Sequence, residues 1–367
     1  MTAVVTLTPS AAVDRTYRLG QLHRGRVNRA SAVHSELSGK GVNVAAALAA
    51  AGTRVSAVLA IGEDVRHLRS SCPIDSQLAV VPTECPTRIN ITIAEDTSIT
   101  KLNEAPATTS SATWVQVIER TLSEIERISA DWLVVAGSLP RNEEAGTLVP
   151  VAELFTEAVA LGARVAVDTA DEALRHICRD LSAVSLLKPN SHELATLVGR
   201  PLRTYGEVTA AARELIAAGS DTVYVSMGAD GGLALTATEV WHATALAEVV
   251  NTVGAGDCAL AGFISGMTRS DLPTHDHSTR ALTDMPRGGL GRVGARSVIS
   301  AGLERATAWG ALATTRVTTV LTDLEGAPEV QVRRDPDPET VLSDPATAPE
   351  YPVTEPGCPG ATSQGGR

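Results

Sequence analysis

Between Val250 and Leu260 the chain reads VNTVGAGDCAL, in which Gly254, Ala255 and Gly256 precede a carboxylate, Asp257, and an apolar run follows from Ala259 to Ile264. Residues without bulk leave consecutive backbone N–H groups open to a phosphate, and the positive end of a helix starting there favours the anion. A carboxylate where those amides converge is placed to take the proton from a hydroxyl attacking the γ-phosphate of a nucleotide. Taken alone, the same run also fits a Gly-Ala turn with Asp257 as a helix N-cap.

A second run, SGKGVNVAAALAAAG from Ser38 to Gly52, joins glycines to Lys40 and Asn43 and then to an alanine-rich helix. It is not a Walker-type phosphate loop, because His34 and Gly41 stand where that motif needs Gly and Ser or Thr. By itself it reads as a strand-to-helix turn with an exposed lysine. Asp14 in TPSAAVDRTY follows the first strand candidate, where a carboxylate can accept hydrogen bonds from sugar hydroxyls or simply cap a turn. Asn190 in KPNSHEL is also a natural helix cap. The glycines of VYVSMGADGG suit a hairpin turn. Arg29, Arg88 and Lys101, each alone, would be solvated charges. His275, Asp276 and His277 lack a third spaced ligand and are read as solvated rather than metal-binding.

In order along the chain these runs resemble the PfkB (ribokinase-like) carbohydrate kinases. VNTVGAGDCAL resembles their second signature and SGKGVNVA their first, while TPSAAVDRTY is similar to the corresponding segment of the 1-phosphofructokinase branch and its tagatose-6-phosphate kinase relatives. The resemblance implies Asp257 as general base, with Gly254, Ala255 and Gly256 as its anion hole. It assigns Asp14, Arg29, Gly39, Lys40, Asn43, Arg88, Lys101 and Ser138 of AGSLP to the sugar phosphate. Lys188, Asn190, Glu193, Ser226, Gly228, Gly231, Asn251 and Thr252 fall to the nucleotide. Magnesium would enter with ATP and be held through water near Glu193, with no direct protein ligand. Guanidinium groups suit a phosphorylated sugar because they bond its oxygens in pairs.

The implied reaction is ATP-dependent phosphorylation of fructose 1-phosphate at its 6-hydroxyl, with tagatose 6-phosphate and fructose 6-phosphate as alternative substrates. A catalytically weak sugar-phosphate or nucleotide sensor is the rival from another class. Ser38 stands where the family usually has glycine, so a positive φ there would strain the turn. Oligomeric state stays open; exposed lid strands often pair in this family, which would give a homodimer.

Positioning such a site requires a rigid frame. Short β-branched runs at Ala3 to Leu7, Arg54 to Ala60, Trp132 to Ala136, Arg164 to Asp168, Ala183 to Leu187 and Thr222 to Ser226 alternate with helix-period segments at 42–51, 112–128, 149–161, 191–197 and 207–218. Alternation of this kind predicts an α/β fold, a mostly parallel sheet covered on both faces, with ligands beyond the strand C-termini. In the resembled family this is a three-layer αβα sandwich. Thr16 to Glu36 and Thr87 to Leu102 instead alternate polar and apolar residues, as half-exposed strands do, and the resemblance makes them a small β-sheet lid over the sugar. The expected organisation is a kinase domain over 1–332, an irregular surface insertion at about 268–300, and a disordered tail over 333–367, where Asp, Pro, Glu, Thr and Gly dominate.

The 367 residues carry 31 basic and 42 acidic side chains, net −11, with 3% aromatic residues, so nucleic acid is not an expected partner. No segment reaches the ~18 apolar residues of a membrane span, and the N-terminus lacks a signal-peptide pattern, which predicts a cytoplasmic protein without a membrane partner. Five scattered cysteines (Cys72, Cys85, Cys178, Cys258, Cys358) read as reduced thiols.

Overall fold

Strand Ala3–Thr8 shows how the frame is built: Ala3, Val5 and Leu7 pack into one hydrophobic cluster while Val4 packs into another on the opposite side of the sheet. Both faces of a parallel sheet are covered, so its strands are apolar on both sides. In the computed structural model, which describes residues 2–96, 98–267, 297–316, 318 and 320–346, this strand pairs in parallel with Arg54–Gly62 on one side and Trp132–Ala136 on the other. The sheet has ten strands. Seven run parallel, in the spatial order Leu78–Thr83, Arg54–Gly62, Ala3–Thr8, Trp132–Ala136, Arg164–Asp168, Leu186–Leu187 and Thr222–Ser226. Gly232–Leu235, Val240–Ala245 and Val330–Arg334 extend it as an antiparallel edge.

Helices Ser111–Ile128, Ala152–Ala160, Asp171–Ile177, Ser191–Val198 and Tyr205–Ala217 cover one face; Lys40–Ala50, Ala255–Gly266 and Val298–Thr314 cover the other. The α/β expectation therefore holds, with local corrections. The strand expected over Ala183 to Leu187 is confined to Leu186–Leu187, because Val184 closes a turn on the Leu181 carbonyl. The helix expected from Val149 begins at Ala152, after Pro150, with Val149 still donating to the Pro140 carbonyl.

The two alternating segments form a separate four-stranded sheet in the order Ala32–Ser38, Ala12–Arg18, Arg88–Ala94, Ile99–Asn103. Its register sorts the side chains by face. Asp14 lies opposite Asn90, Ala12 opposite both Arg88 and Ser38, and Thr92 opposite Lys101, which puts Asp14, Ser38, Arg88, Asn90 and Lys101 on one face. The other face carries Val13, Val33, Leu37, Ile89, Ile91, Ile93 and Leu102.

The expected tail is a correction. Val330–Arg334 joins the main sheet, and Val341–Ala346 pairs antiparallel with Leu202–Thr204, burying Leu342 and Ala346 in the core. A segment rich in Asp and Pro is ordered here by two apolar anchors and by sheet edges that supply backbone partners. Residues 347–367 lie outside the described residues, as do 268–296 of the expected insertion and its His275, Asp276 and His277. The last four residues of that insertion, Ser297 to Ser300, instead open a helix, with the Ser297 hydroxyl capping the amide of Ile299.

Candidate active site

Gly254 adopts φ 80°, a left-handed conformation that favours glycine, and this turns the chain into helix Ala255–Gly266. No side chain caps that helix, so the amides of Gly256 and Asp257 in its first turn, which have no intrahelical acceptor, stay available to an anion. Asp257 is its third residue and is buried. Asn251 accepts from the Val253 amide, and the Thr252 carbonyl accepts from Ala255, so both residues shape the turn from below.

Against this helix packs the turn that follows the lid. A Cβ at Gly39 would lie 2.4 Å from Thr8 Cγ2 and one at Gly41 2.5 Å from Thr8 Oγ1, so only glycines let the turn sit over the C-terminal end of the first strand. Helix Lys40–Ala50 then brings Asn43 to Asp257, with Nδ2 donating to Oδ2 at 2.8 Å. Lys40 Nζ meets Asp168 Oδ1 at 2.8 Å and Lys188 Nζ meets Asp168 Oδ2 at 2.9 Å. The Lys188 ammonium lies 3.4 Å from where a side chain at Gly256 would begin, directly beside the anion cradle.

The electrostatics follow from this packing. Burial pushes the Asp257 carboxyl up to about 6, with Lys40 opposing the shift and Asp168 adding to it. Burial would raise Asp168 as well, but Lys188 and Lys40 outweigh it and hold that carboxyl at about 2. For Lys40, burial works against the charge, yet Asp168 and Asp257 win and raise its pKa above the ordinary value.

Asp168 was not among the residues expected from sequence. It ends strand Arg164–Asp168, the sheet position where ligands of such folds collect, and that placement is the only signal the sequence held. Ser138 follows Gly137, whose amide donates to the Asp168 carbonyl, so its backbone lies beside the end of that strand.

Asn190 caps helix Ser191–Val198 in a reciprocal box with Glu193: each side chain accepts the other's backbone N–H at 2.8 Å. The Ser226 amide donates to the Pro189 carbonyl, and Ser226 forms a bridge with Asn190, so two expected nucleotide elements are adjacent. The segment from Ser226 to Gly232 is the hairpin turn that its glycines suggested, with Gly228 at φ 58° and Gly231 at φ 79°. Burial raises the Glu193 carboxyl, while the Asn190 amide pulls it back.

At the lid, Ser38 Oγ donates to Asp14 Oδ2 at 2.6 Å and Asn90 Nδ2 to Asp14 Oδ1 at 3.0 Å. Among the described residues, positive φ outside glycine occurs at Ser129, Asp171 and Asp335, so Ser38 carries no such strain. Arg88 donates to the carbonyls of Ser10 and Glu104, and its Nε is buried without a partner. Arg29 is not brought to Arg88: it precedes Ala32, at the end of the sheet where Arg18 and Ala94 pair, six residues or about 20 Å along the strands from Arg88.

A buried carboxylate at an uncapped helix start, facing two lysines, is an arrangement for moving a phosphoryl group to a hydroxyl. The model of the pfkB family carbohydrate kinases matches residues 3–282. The chain belongs to this family. It is 32% identical to the 1-phosphofructokinase of Rhodobacter capsulatus, over 79% of this chain and 91% of the relative, and 31% identical to that of Escherichia coli K12, over 76% and 88%. Among solved structures it is similar to the tetrameric inhibited form of phosphofructokinase-2 from Escherichia coli, with a TM-score of 0.70 and 25% identity, covering 86% of this chain and 94% of that one. As a pfkB member the chain is a sugar-phosphate kinase that uses ATP with magnesium.

Of the carboxylates at the site, Glu193 is the one that fits that metal. Asp168 has both oxygens on lysines, and the capping box uses Glu193 Oε2, leaving Oε1 outside it. Among the described residues no three metal-ligating side chains gather at one point. No described helix is long and apolar enough to cross a membrane.

Proposed function

We propose that this chain phosphorylates fructose 1-phosphate at the 6-hydroxyl with ATP, giving fructose 1,6-bisphosphate and ADP, in the cytoplasm. The observation that carries this reading is Asp257: a carboxyl with its proton affinity raised to about 6, fixed by Asn43 at the open N-terminus of a helix. At neutral pH it is ionised yet basic enough to take the hydroxyl proton as attack proceeds. The O6–phosphorus bond forms, the bond from the γ-phosphorus to the β–γ bridging oxygen breaks, ADP leaves, and the proton rests on Asp257. Amides of Gly254 to Asp257, with Lys188 alongside, face the charge that spreads over the transferring group.

Asp14, held by Ser38 and Asn90, accepts from the sugar hydroxyls, and Asn43 and Ser138 line the same space. Arg88 and Lys101 lie on the lid face that carries Asp14 and supply the charge for the substrate phosphate. Asn190, Glu193, Ser226, Gly228 and Gly231 receive the nucleotide. Glu193, whose Oε1 is outside the capping box, would be the carboxylate to hold magnesium through water, and the ion, when bound with ATP, would screen the phosphate charge.

The apolar lid face supports a homodimer through the lid. Val33 and Leu102 are exposed there beside the half-buried Ile89, Ile91 and Ile93, and apolar surface of that kind is stabilised by a matching copy. Ile91→Asp should shift the mass seen by light scattering from dimer to monomer; a monomeric parent chain would remove the idea.

The deciding assay is ADP release with Mg-ATP and, separately, fructose 1-phosphate, fructose 6-phosphate and tagatose 6-phosphate, with Asp257→Asn as control. Turnover should be fastest on fructose 1-phosphate and should fall by about 10²-fold or more in the variant. Faster turnover on another sugar reassigns the substrate, and an undiminished variant removes Asp257 as base.

A further inference from the structure

The turn from Ser226 to Gly231 is open on one side and tied down on the other. A Cβ at Gly228 would meet nothing within 4 Å, whereas one at Gly231 would lie 2.0 Å from the Ala243 carbonyl oxygen. The tie comes from the C-terminal strand. Ser343 donates both its amide, at 2.8 Å, and its hydroxyl, at 2.7 Å, to the two carboxylate oxygens of Asp230. Asp230 thereby joins the turn to a segment 113 residues away.

The same strand reaches the other nucleotide element. Asp344 contacts His192 at 3.2 Å, and His192 is next to the Asn190–Glu193 capping box and lines, with Asp171, Arg175, Asn190, Glu193 and Thr196, a cleft of about 160 Å³. The approach to the strand is equally specific. The Pro338 and Thr340 carbonyls accept from Gly206 and Tyr205 at the start of helix Tyr205–Ala217, and a Cβ at Gly206 would lie 2.9 Å from Pro338. Leu342 and Ala346 anchor the strand in the core.

A glycine-rich turn populates many conformations unless held, and a site whose parts are fixed before binding loses less entropy when ligand arrives. We propose that Val341–Ala346 is a positioning strap for the nucleotide: through Asp230 and His192 it fixes the glycine turn and the Asn190–Glu193 cap in the relative placement that receives ATP. Asp230 and Ser343 are positioning residues, touching the turn rather than the ligand. The inference rests on the proposed nucleotide role of those two elements.

The test measures Mg-ATP affinity by titration calorimetry on the full chain, and KM for each substrate, in Ser343→Ala, Asp230→Ala and the double variant. Each single variant should weaken Mg-ATP binding about three- to tenfold with the sugar-phosphate KM unchanged. The double variant should be no weaker than Asp230→Ala, because that change already removes both bonds from Ser343. Ser343 is exposed, so its alanine variant stays informative if Asp230→Ala folds poorly. Unaltered nucleotide affinity in both single variants overturns the strap, as do equal rises in both KM values or fully additive losses. A parent chain that binds no Mg-ATP overturns the nucleotide assignment itself, and the strap with it.

Discussion

Asn43 and Asp257 meet side chain to side chain across 214 residues of sequence, with Nδ2 donating to Oδ2 at 2.8 Å. The bond ties helix Lys40–Ala50 to helix Ala255–Gly266, so the placement of the turn before Asn43 and the orientation of the proposed base share one contact. It also favours the ionised carboxylate, opposing burial. Asn43→Leu, which keeps volume and removes the donor, should move the acid limb of kcat/KM to higher pH and lower kcat by about tenfold or more.

In the parent chain that acid limb should lie near pH 6. As the proposed base, Asp257 would act only when ionised, and burial places its pKa at about 6, so kcat/KM should fall about tenfold per pH unit below that value. A limb near pH 4, the ordinary carboxylate range, would show that Asp257 is not the titrating group.

Stability should respond to the same shift in the opposite sense from activity. A carboxyl raised on folding binds its proton more tightly in the native chain, so stability falls as pH rises from about 4 to about 6, and the deficit persists above that window. Asp257→Asn should therefore melt higher than the parent at pH 8 while losing turnover, with the difference vanishing near pH 4. Equal melting temperatures at both pH values would contradict the burial cost.

Asp168 behaves in reverse. Its carboxyl is depressed to about 2 by Lys188 and Lys40, so its contribution is full above about pH 4 and is lost only as pH falls through about 2. Asp168→Asn leaves Lys188, whose side chain is 4% exposed, without its counter-charge, and should cost about 3–5 kcal/mol in denaturant unfolding. Adding Lys188→Met should restore much of that loss but not activity; no recovery would mean that the pair is not the cause.

How much of this was readable beforehand depends on the range of each cause. Trp132–Ala136 and Thr222–Ser226 are read at their true bounds because β-branched runs between turns specify buried strands locally. Asp257 and Asn43 lie inside motifs whose glycines carry their own geometric reason. Asp168 gave no such sign, because its partners are 128 and 20 residues away and only the parallel sheet assembles them. The strap was invisible for a related reason: Leu342 and Ala346 are two apolar residues in a polar stretch, and what orders them is the edge of Leu202–Thr204. Arg29 and Arg88 looked alike as lid cations until the strand register separated them.

The contact between Ser38 and Asp14 gives the departure from the family's glycine a chemical purpose. The Ser38 hydroxyl, buried on the lid, holds one oxygen of Asp14 at 2.6 Å while Asn90 holds the other at 3.0 Å. A hydrogen bond to a charged group contributes about 1.5–3 kcal/mol, and here it fixes orientation: with both oxygens held, the carboxylate presents its remaining lone pairs in one geometry, as its proposed contact with sugar hydroxyls requires. Ser38→Ala should raise the KM for the sugar phosphate about tenfold and leave the KM for ATP unchanged. Ser38→Gly, although it supplies the usual family residue, should behave like the alanine variant because it also lacks the donor, while Ser38→Thr keeps the hydroxyl and should stay near the parent value. If glycine instead improved turnover, hinge freedom rather than carboxylate orientation would govern this position.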